Sequence, residues 1–204
     1  MKKGKGNELF GEPKTELEFR VIAGTLKGKR IVAPNLGITR PPLTRIRKSI
    51  FDFLMPYIGG ASYLDLFSGT GSYLFEAVSR GAIRAIGVER EKKLAVSINA
   101  QAEAFGLGQT LHCQTDDVFA AIPKLAKQGE LFDIIMIAPP QYLKLIDKTL
   151  ALLRAENLTG SETLILTQHD SNETYKINLN GFELLQRRKY GNTTFTVLRG
   201  AEGV

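Results

Sequence analysis

Between residues 62 and 169, short apolar runs alternate with helix-like segments, and this alternation constrains the fold more than any other feature. The apolar runs occupy 62–67, 84–89, 110–115, 132–138 and 163–169, and the helix-like segments occupy 72–80, 91–105, 118–127 and 142–154. The run at 132–138 is almost continuously apolar, as expected of a strand buried on both faces. Strands that alternate with helices predict an α/β fold with a doubly wound, mostly parallel sheet and right-handed crossovers.

The two ends of the chain follow a different pattern. Residues 182–199 predict two strands joined by a turn at Gly191-Asn192, which adds an antiparallel closing hairpin to the sheet. Residues 18–33 predict a small N-terminal β-hairpin whose turn contains Gly24 and Gly28. A helix follows, because apolar residues recur at spacings of three and four from Ile46 to Tyr57, with Thr44 as its predicted N-cap.

Charge is distributed unevenly along the chain. Residues 1–50 contain 12 Lys and Arg against 4 Asp and Glu, whereas the remaining residues contain 15 against 17. The basic excess is therefore confined to the N-terminal quarter, which favours a polyanionic partner. The alternative is a solvated basic tail that improves solubility.

Several classes of protein are disfavoured by composition. No stretch approaches the roughly 20 apolar residues that span a bilayer, and the N-terminus lacks the apolar core of a secretory signal. Cys113 is the only cysteine, so no internal disulfide is expected and a reducing compartment, the cytoplasm, is favoured. With two histidines in the chain, no metal site is expected. We also expect a monomer.

The segment from Asp65 to Ser72 follows the first strand of the alternating region and contains Gly69 and Gly71. Glycines here allow positive φ angles and a close approach of the backbone to a ligand at a helix N-terminus. Dinucleotide-binding loops share this design, but Leu74 stands where their third glycine would be. The Asp65 carboxylate would repel a pyrophosphate and would pair with a cationic amino group.

Acidic residues also follow the next two strands. Glu89 ends the second strand, where it can accept hydrogen bonds from ribose hydroxyls, and Asp116 and Asp117 end the third, where one can accept from an adenine amine. Together with Asp65, these positions indicate S-adenosylmethionine, whose amino-acid end is cationic. The alternative is that the acids are only favourable charges at helix N-termini.

These residues resemble a known family. DLFSGTG (65–71) is similar to the DxFxGxG motif of methyltransferases that modify amino groups of nucleic-acid bases. The bacterial RsmD-type 16S rRNA guanine-N2 methyltransferases have segments similar to RVIAGTLKGKRI, RPPLTRIRKSIFDFL, EAVSRGA and RRKYGNTTF, in the same order over roughly residues 19–200. Pro42 and Lys48 depart from the family pattern, which has Thr and Glu there.

The resemblance implies a Rossmann-like methyltransferase fold. It also implies methyl transfer from S-adenosylmethionine to the exocyclic N2 amine of a guanine in 16S rRNA, free or within the small ribosomal subunit. We accordingly divide the chain into a mobile basic tail (1–18), an N-terminal hairpin and helix at the RNA and cofactor cleft (19–58), and a methyltransferase domain (59–204). The predicted cofactor-binding residues are Arg40, Asp65, Phe67, Gly69, Gly71, Glu89, Asp116 and Asp117.

The catalytic corner departs from the family. Its members carry D/N-P-P-Y/F after the fourth strand, where the polar residue and a backbone carbonyl accept from the target amine and the aromatic ring stacks on the base. The predicted catalytic segment is Ala138, Pro139, Pro140, Gln141 and Tyr142. Ala138 offers no side-chain acceptor, and Tyr142 stands one place late.

Three interpretations of Ala138 remain open. In the first, the enzyme uses backbone carbonyls and an outside acceptor, with Gln141 the nearest candidate. In the second, the protein binds cofactor and RNA without catalysis. In the third, the alanine is an engineered change. A methyltransferase for DNA or another substrate is a further alternative, whereas Asp65 and Leu74 disfavour a nicotinamide dehydrogenase.

Basic residues form three groups that we predict to contact RNA, since phosphate contacts supply most non-specific affinity for nucleic acids. The predicted RNA-binding residues are Lys27, Lys29 and Arg30 in the hairpin, Arg45, Arg47 and Lys48 at the helix, and Arg187 and Arg188 near the C-terminus. By the family resemblance, Arg40 and Arg47 are alternatively expected to face the cofactor cleft.

Overall fold

The computed structural model describes residues 15–37, 44–140 and 144–200. An antiparallel hairpin of β1 (Glu16–Arg20) and β2 (Arg30–Pro34) precedes the main sheet. The main sheet contains β3 (Ser62–Asp65), β4 (Arg84–Glu89), β5 (Leu111–Thr115), β6 (Ile134–Ile137), β7 (Leu164–Asp170), β8 (Phe182–Tyr190) and β9 (Thr193–Gly200). The helices are α1 (Thr44–Leu54), α2 (Ser72–Ser79), α3 (Lys92–Ala104), α4 (Val118–Lys127) and α5 (Leu145–Ala155), and a 3₁₀ helix spans Ser171–Lys176.

The seven strands of the main sheet lie in the order β5-β4-β3-β6-β7-β9-β8. Strands β3 to β7 are parallel, and β9 pairs antiparallel with both β7 and β8. The prediction of a doubly wound, mostly parallel sheet with an antiparallel closing hairpin is confirmed. The strand order reverses between β3 and β6, and open α/β sheets bind ligands at the carboxyl edge of such a switch point.

Some element boundaries differ from the predictions. β3 ends at Asp65, two residues early, because the Phe67 amide turns back to donate to the Asp65 carboxylate at 3.3 Å. β1 begins at Glu16, so residues 16–18 pair with β2 and do not belong to the mobile tail that was predicted. The rest of that tail, up to residue 14, lies outside the described residues. The 3₁₀ helix was not predicted; the Asp170 side chain caps it by accepting from the Asn172 amide at 2.8 Å.

The sheet separates two hydrophobic clusters, and β6 shows why. Ile134 and Met136 belong to the cluster on one face, whereas Ile135 and Ile137 belong to the cluster on the other. All four side chains are buried, which explains the continuous apolar run in the sequence. No helix within the described ranges is long and apolar enough to cross a membrane.

The N-terminal hairpin is attached to the main sheet through Glu76, a fully buried acid in α2. Its carboxylate accepts from the backbone amides of Ile22 at 2.9 Å and Ala23 at 3.2 Å, and pairs with Arg80 Nε at 2.9 Å. Nearby, Gly24 has a φ of +86°, and a Cβ there would lie 1.7 Å from the Ser79 carbonyl oxygen. Hairpin and α2 therefore touch backbone to backbone.

Arg47 of α1 is buried in the same contact. The residue is 1% exposed, and its side chain donates to the Arg20 carbonyl at 2.5 Å and places Nε 3.7 Å from the Glu76 carboxylate. The guanidinium also lies 5.0 Å from the centre of the Phe19 ring. Burial lowers the pKa of Arg47, and Glu76 opposes that shift. The predicted RNA contact of Arg47 is therefore wrong in this structure, because its guanidinium is enclosed by protein.

We predict that Glu76→Gln lowers the free energy of unfolding by about 3–5 kcal/mol, since removing one partner leaves a buried charge uncompensated. Chemical denaturation measures the change. Adding Arg47→Met removes the stranded cation and should recover part of the loss. Lys48→Gln, which breaks an exposed pair with Asp52, is the control and should cost less than about 1 kcal/mol. Equal losses for Glu76→Gln and Lys48→Gln would contradict the prediction.

Candidate functional site

The acidic residues selected from the sequence converge at the carboxyl edge of the parallel strands. Asp65 ends β3, Glu89 ends β4 and Asp116 follows β5, while Ala138 follows β6. Asp65 is paired in register with Met136, so Ala138 lies two residues beyond Asp65 on the neighbouring strand. The structure thus brings the predicted cofactor loop and the predicted catalytic corner side by side at the switch point.

Asp65 has an unusual environment. The residue is fully buried, and Oδ2 has no hydrogen-bond partner among the described residues, while Oδ1 accepts only from the Phe67 amide. The pKa of Asp65 is raised to about 7, mainly by burial; the hydrogen bond from the Phe67 amide opposes this shift, and the nearby Glu89 adds to it. A buried carboxylate oxygen without a donor is costly. A cationic amino group would supply both the donor and the missing charge.

The loop that follows holds a conformation that depends on glycine. Gly69 and Gly71 have φ angles of +52° and +77°. A Cβ on Gly71 would lie 2.8 Å from Ile98 Cγ1, so a side chain there would both strain the backbone and collide with α3. Gly71 is also the N-cap of α2, and no side chain caps this helix end. Because α2 begins shortly after the carboxyl end of β3, the first amide groups of this helix point toward the carboxyl edge of the sheet.

Glu89 ties this loop to β4. One carboxylate oxygen accepts from the Gly69 amide at 2.7 Å and the other from the Glu91 amide at 2.8 Å. Burial raises the pKa of Glu89, and these two backbone donors oppose the shift. Each carboxylate oxygen has a second lone pair, so Glu89 can still accept from ribose hydroxyls while holding the loop.

The acids after β5 already have protein partners. Asp117 is the N-cap of α4 and accepts from the Phe119 amide at 2.8 Å, and Asp116 pairs with Lys124 at 2.6 Å. Asp117 therefore fits the alternative interpretation, in which these acids only stabilise a helix N-terminus. Contact of either side chain with an adenine amine stays a prediction.

Part of the predicted site falls outside the described residues, namely Arg40, Gln141 and Tyr142. Of the remaining corner, Ala138 and Pro139 are partly buried and Pro140 is exposed. Ala138 packs against the hydrophobic cluster that contains Met136 and Tyr73. Phe67 is likewise partly buried, against the opposite cluster.

Gln168 is a polar residue at this corner that the sequence reasoning missed. Ile137 pairs with Thr167, so the next pair in this parallel register places Gln168 beside Ala138. The hydroxyl group of the buried Tyr73, in α2, donates a hydrogen bond to Gln168 Oε1. Because α2 follows β3 and Gln168 belongs to β7, this hydrogen bond crosses β6, which lies between those two strands. Burial raises the pKa of Tyr73, which keeps that hydroxyl protonated. The position of Gln168 near the carboxyl end of a strand was the available signal.

The basic residues predicted to bind RNA have different surroundings. Lys27 and Lys29 are exposed, and Arg30 is exposed but pairs with Glu18 at 2.8 Å. Lys48 is exposed and pairs with Asp52 at 2.6 Å. At the other end of the chain, Arg187 and Arg188 are exposed, as is Arg45 in α1. Apart from Arg47, the predicted set remains accessible to a phosphate backbone.

Among the described residues, no three His, Cys, Asp or Glu side chains converge as a metal site would require. His169 is buried beside Thr167 and Thr174, with Nε2 3.0 Å from the Thr174 hydroxyl. Burial lowers the pKa of His169 to about 4. This histidine is therefore neutral at physiological pH, and both of its ring nitrogens lie within hydrogen-bond distance of threonine hydroxyls.

The family model described as "Conserved hypothetical protein 95" matches residues 19–199. The chain belongs to this family. Relatives that resemble it include "Ribosomal RNA small subunit methyltransferase D" of Haemophilus influenzae, which is 28% identical over 189 residues, 90% of this chain and 94% of the relative. The resemblance to the RsmD-type family, drawn from motifs, is thereby confirmed.

Solved structures agree with the Conserved hypothetical protein 95 assignment. A hypothetical protein of Thermus thermophilus superposes with a TM-score of 0.73 at 27% identity, covering 88% of this chain and 98% of that one. An RNA methyltransferase of Salinibacter ruber, solved with S-adenosyl-L-homocysteine, gives a TM-score of 0.63 at 13% identity over 81% of this chain and 96% of that one. The latter similarity shows the fold, which is the Rossmann-like methyltransferase fold that was predicted.

We predict that Asp65→Asn stabilises the ligand-free protein, relative to the wild type, more at pH 8 than at pH 5. The pKa of Asp65 is higher in the folded chain than in the unfolded one, so folding takes up a proton between about pH 4 and 7 and stability falls as the pH rises through this window. An asparagine stays neutral and escapes that loss.

Urea denaturation at the two pH values tests the prediction. The urea concentration at the midpoint should be higher for Asp65→Asn than for the wild type by a larger amount at pH 8 than at pH 5. Glu162→Gln, which removes one exposed acid, controls for the change in net charge. A difference between Asp65→Asn and wild type that does not change with pH would contradict the assigned pKa shift.

Proposed function

We propose that this chain transfers a methyl group from S-adenosylmethionine to the exocyclic N2 amine of a guanine in small-subunit ribosomal RNA. The observation that carries the proposal is the buried, unpartnered Oδ2 of Asp65 at the switch point of the sheet. The name of the Haemophilus relative supports the RNA substrate, and the motif resemblance supports guanine N2. The predicted monomeric state and cytoplasmic location belong to the same proposal.

The residues at the carboxyl edge fit S-adenosylmethionine in charge and shape. The Asp65 carboxylate would accept from its amino group and Glu89 from its ribose hydroxyls, and the backbone of the loop 69–71, in which Gly69 and Gly71 have positive φ angles, would lie against it. Bound there, S-adenosylmethionine supplies an activated methyl group. Phe67, Asp116, Asp117 and Arg40 complete the proposed cofactor-binding set.

The catalytic task of this protein is to position a weak nucleophile. The lone pair of an exocyclic amine is delocalised into the base, so orientation and hydrogen-bond acceptors must contribute much of the rate. The Ala138 and Pro139 carbonyls are the proposed backbone acceptors, and Tyr142 the proposed stacking ring. Gln141 and Gln168 are the two candidates for the acceptor that position 138 lacks. Gln168 lies beside Ala138 and is held by Tyr73.

A non-catalytic protein that binds cofactor and RNA is the second candidate function, and Ala138 is the observation that favours it. Labelled methyl transfer to small ribosomal subunits, to naked 16S RNA and to DNA, measured in parallel, separates the possibilities. We expect label in an RNA sample and none in DNA. Label in guanine N2 after nucleoside analysis would support the full proposal, whereas label in DNA alone would contradict it.

We predict that Asp65→Ala weakens binding of S-adenosylmethionine by more than about 1 kcal/mol, because the substitution leaves the cationic ligand group unpaired. Affinity of the wild type should rise as the pH increases through about 7, where Asp65 ionises, and Asp65→Asn should lose this rise. Isothermal titration calorimetry measures both. Binding of NAD but not of the sulfonium cofactor by the wild type would overturn the cofactor assignment.

We predict that neutralising Lys27, Lys29 and Arg30 together flattens the salt dependence of RNA binding without changing cofactor affinity. Each lost phosphate contact should lower the slope of log K against log salt by about 0.9 for duplex RNA and about 0.7 for single strands. The control neutralises Lys93, Lys127 and Lys148, three exposed lysines on α3, α4 and α5. If both triple variants change the slope equally, the hairpin is not the RNA-binding surface.

We predict that Ala138→Asp raises kcat for methyl transfer, by roughly 10²-fold if no other acceptor is in place. The new carboxylate would accept from the amine and stabilise positive charge that develops on its nitrogen, an interaction made mainly in the transition state. Single-turnover kinetics on 16S RNA measure the gain, and KM should change little.

Companion variants identify an existing acceptor. If Gln141 or Gln168 already serves, Ala138→Asp gains little, and Gln141→Ala or Gln168→Leu is the damaging change. Gln168→Glu keeps an acceptor and should retain activity where Gln168→Leu loses it. If every variant is inactive on every RNA while the wild type binds cofactor and RNA, the non-catalytic function replaces the proposed one.

A further inference from the structure

Tyr190, near the C-terminal end of the described chain, joins two basic regions that are far apart in sequence. Its ring stacks on the buried Phe195 ring, with centroids 6.0 Å apart and planes 9° from parallel. The guanidinium of Arg45, in the first turn of α1, lies 5.5 Å from the centre of the Tyr190 ring. The Tyr190 hydroxyl also hydrogen-bonds to Ser49 of α1. α1 and the closing hairpin are thus fastened together at this ring.

This contact lies at the edge of the sheet that carries the proposed active site. Tyr190 and Asp170 both pair with Thr193 of β9, so the end of β8 and the end of β7 point to the same edge. β7 is the neighbour of β6, and Ala138 follows β6. The row of strands from β6 to β8 therefore leads from the catalytic corner to Tyr190.

Positive charge is concentrated around the ring. Arg45 and Arg188 are exposed, and Arg188 lies on the same face of β8 as Tyr190, because alternate residues of a strand share a face. The Ser49 hydrogen bond lowers the pKa of Tyr190, and both arginines add to that shift. No acidic side chain is paired with Arg45 or Arg188 within the described part of the chain. The charges are available to an external anion.

We propose that Arg45, Arg188 and Tyr190 form a subsite for a phosphate of the single-stranded RNA that flanks the target nucleotide. The proposal rests on the proposed function, since it takes the RNA to enter at the Ala138 corner. An amine-modifying enzyme must hold its base outside a stacked helix, so the adjoining strand needs an anchor at the same edge. Stacking on Tyr190 orients the Arg45 guanidinium in advance, which lowers the entropic cost of contacting a phosphate.

The test measures affinity for a labelled 16S rRNA fragment by fluorescence anisotropy at several salt concentrations. Arg45→Gln should weaken binding about fivefold and lower the salt slope by about 0.7, the value for one contact to a single strand. Tyr190→Leu keeps every charge but removes the ring that orients Arg45, and should weaken binding about threefold. Tyr190→Phe keeps the ring and should bind within about twofold of wild type. The Arg45→Gln/Tyr190→Leu double variant should bind no more weakly than Arg45→Gln alone.

Lys189→Gln is the matched control, because it removes the same charge from the adjacent residue on the opposite face of β8. Cofactor affinity, measured by calorimetry, should be unchanged in all variants and reports that the fold is intact. If Arg45→Gln and Lys189→Gln weaken RNA binding equally, the loss reflects net charge alone, and the proposed subsite is overturned. Wild-type affinity in Arg45→Gln would overturn it as well. A wild-type chain that binds no RNA would overturn both the subsite and the proposed function.

Discussion

The buried carboxylate of Glu76 is the interaction on which the arrangement of the N-terminal hairpin, α1 and the sheet depends. It accepts from two hairpin amides, pairs with Arg80 and lies beside the buried guanidinium of Arg47. Arg47 reaches in turn to the Arg20 carbonyl at the end of β1. A charge buried this deeply is tolerated only when its partners are in place. The pair therefore selects one position of α1, and with it the position of Arg45 against Tyr190.

The carboxyl edge of the sheet presents the opposite situation. Asp65 is buried without a donor for Oδ2, and its raised pKa means that the ligand-free fold resists its ionisation. An apolar residue or an asparagine would be less costly there, so stability alone does not account for an acid at this position. A site that is unfavourable when empty and complementary to a cation when filled is typical of residues retained for binding.

Ala138 is where the chain departs from the motif that the family resemblance leads us to expect, and the surroundings of that position matter as much as the residue itself. The hydrogen bond between Tyr73 and Gln168 passes from the α2 side of β3 across β6 to β7. Two polar atoms therefore lie near the position that lacks a side-chain acceptor. In the proposed function, the acceptor for the target amine therefore depends on Gln168 and Gln141 as well as on position 138.

The sequence by itself determined the sheet, the loop and the edge. Apolar runs and helical spacings are local, so they predicted the alternating order, and the glycines at 69 and 71 predicted a loop that the structure shows at positive φ. The carboxyl ends of parallel strands meet at one edge, so the sequence alone places Asp65, Glu89 and Ala138 together. The ends of the elements do not follow from the pattern, because hydrogen bonds such as that from the Phe67 amide to Asp65 decide where a strand stops.

Only the tertiary structure decided which charges are buried and which distant residues meet. Arg47 belongs to a basic run with Arg45 and Lys48, yet it alone is enclosed, because α1 turns that position toward Glu76. Tyr190 and Ser49 are separated by 141 positions and Tyr73 and Gln168 by 95, and no local pattern links them. Such contacts depend on how helices pack across strands that are not neighbours in sequence. The periodicity of a sequence indicates which side of an element is apolar, but it does not indicate which polar side chain of another element that side will meet.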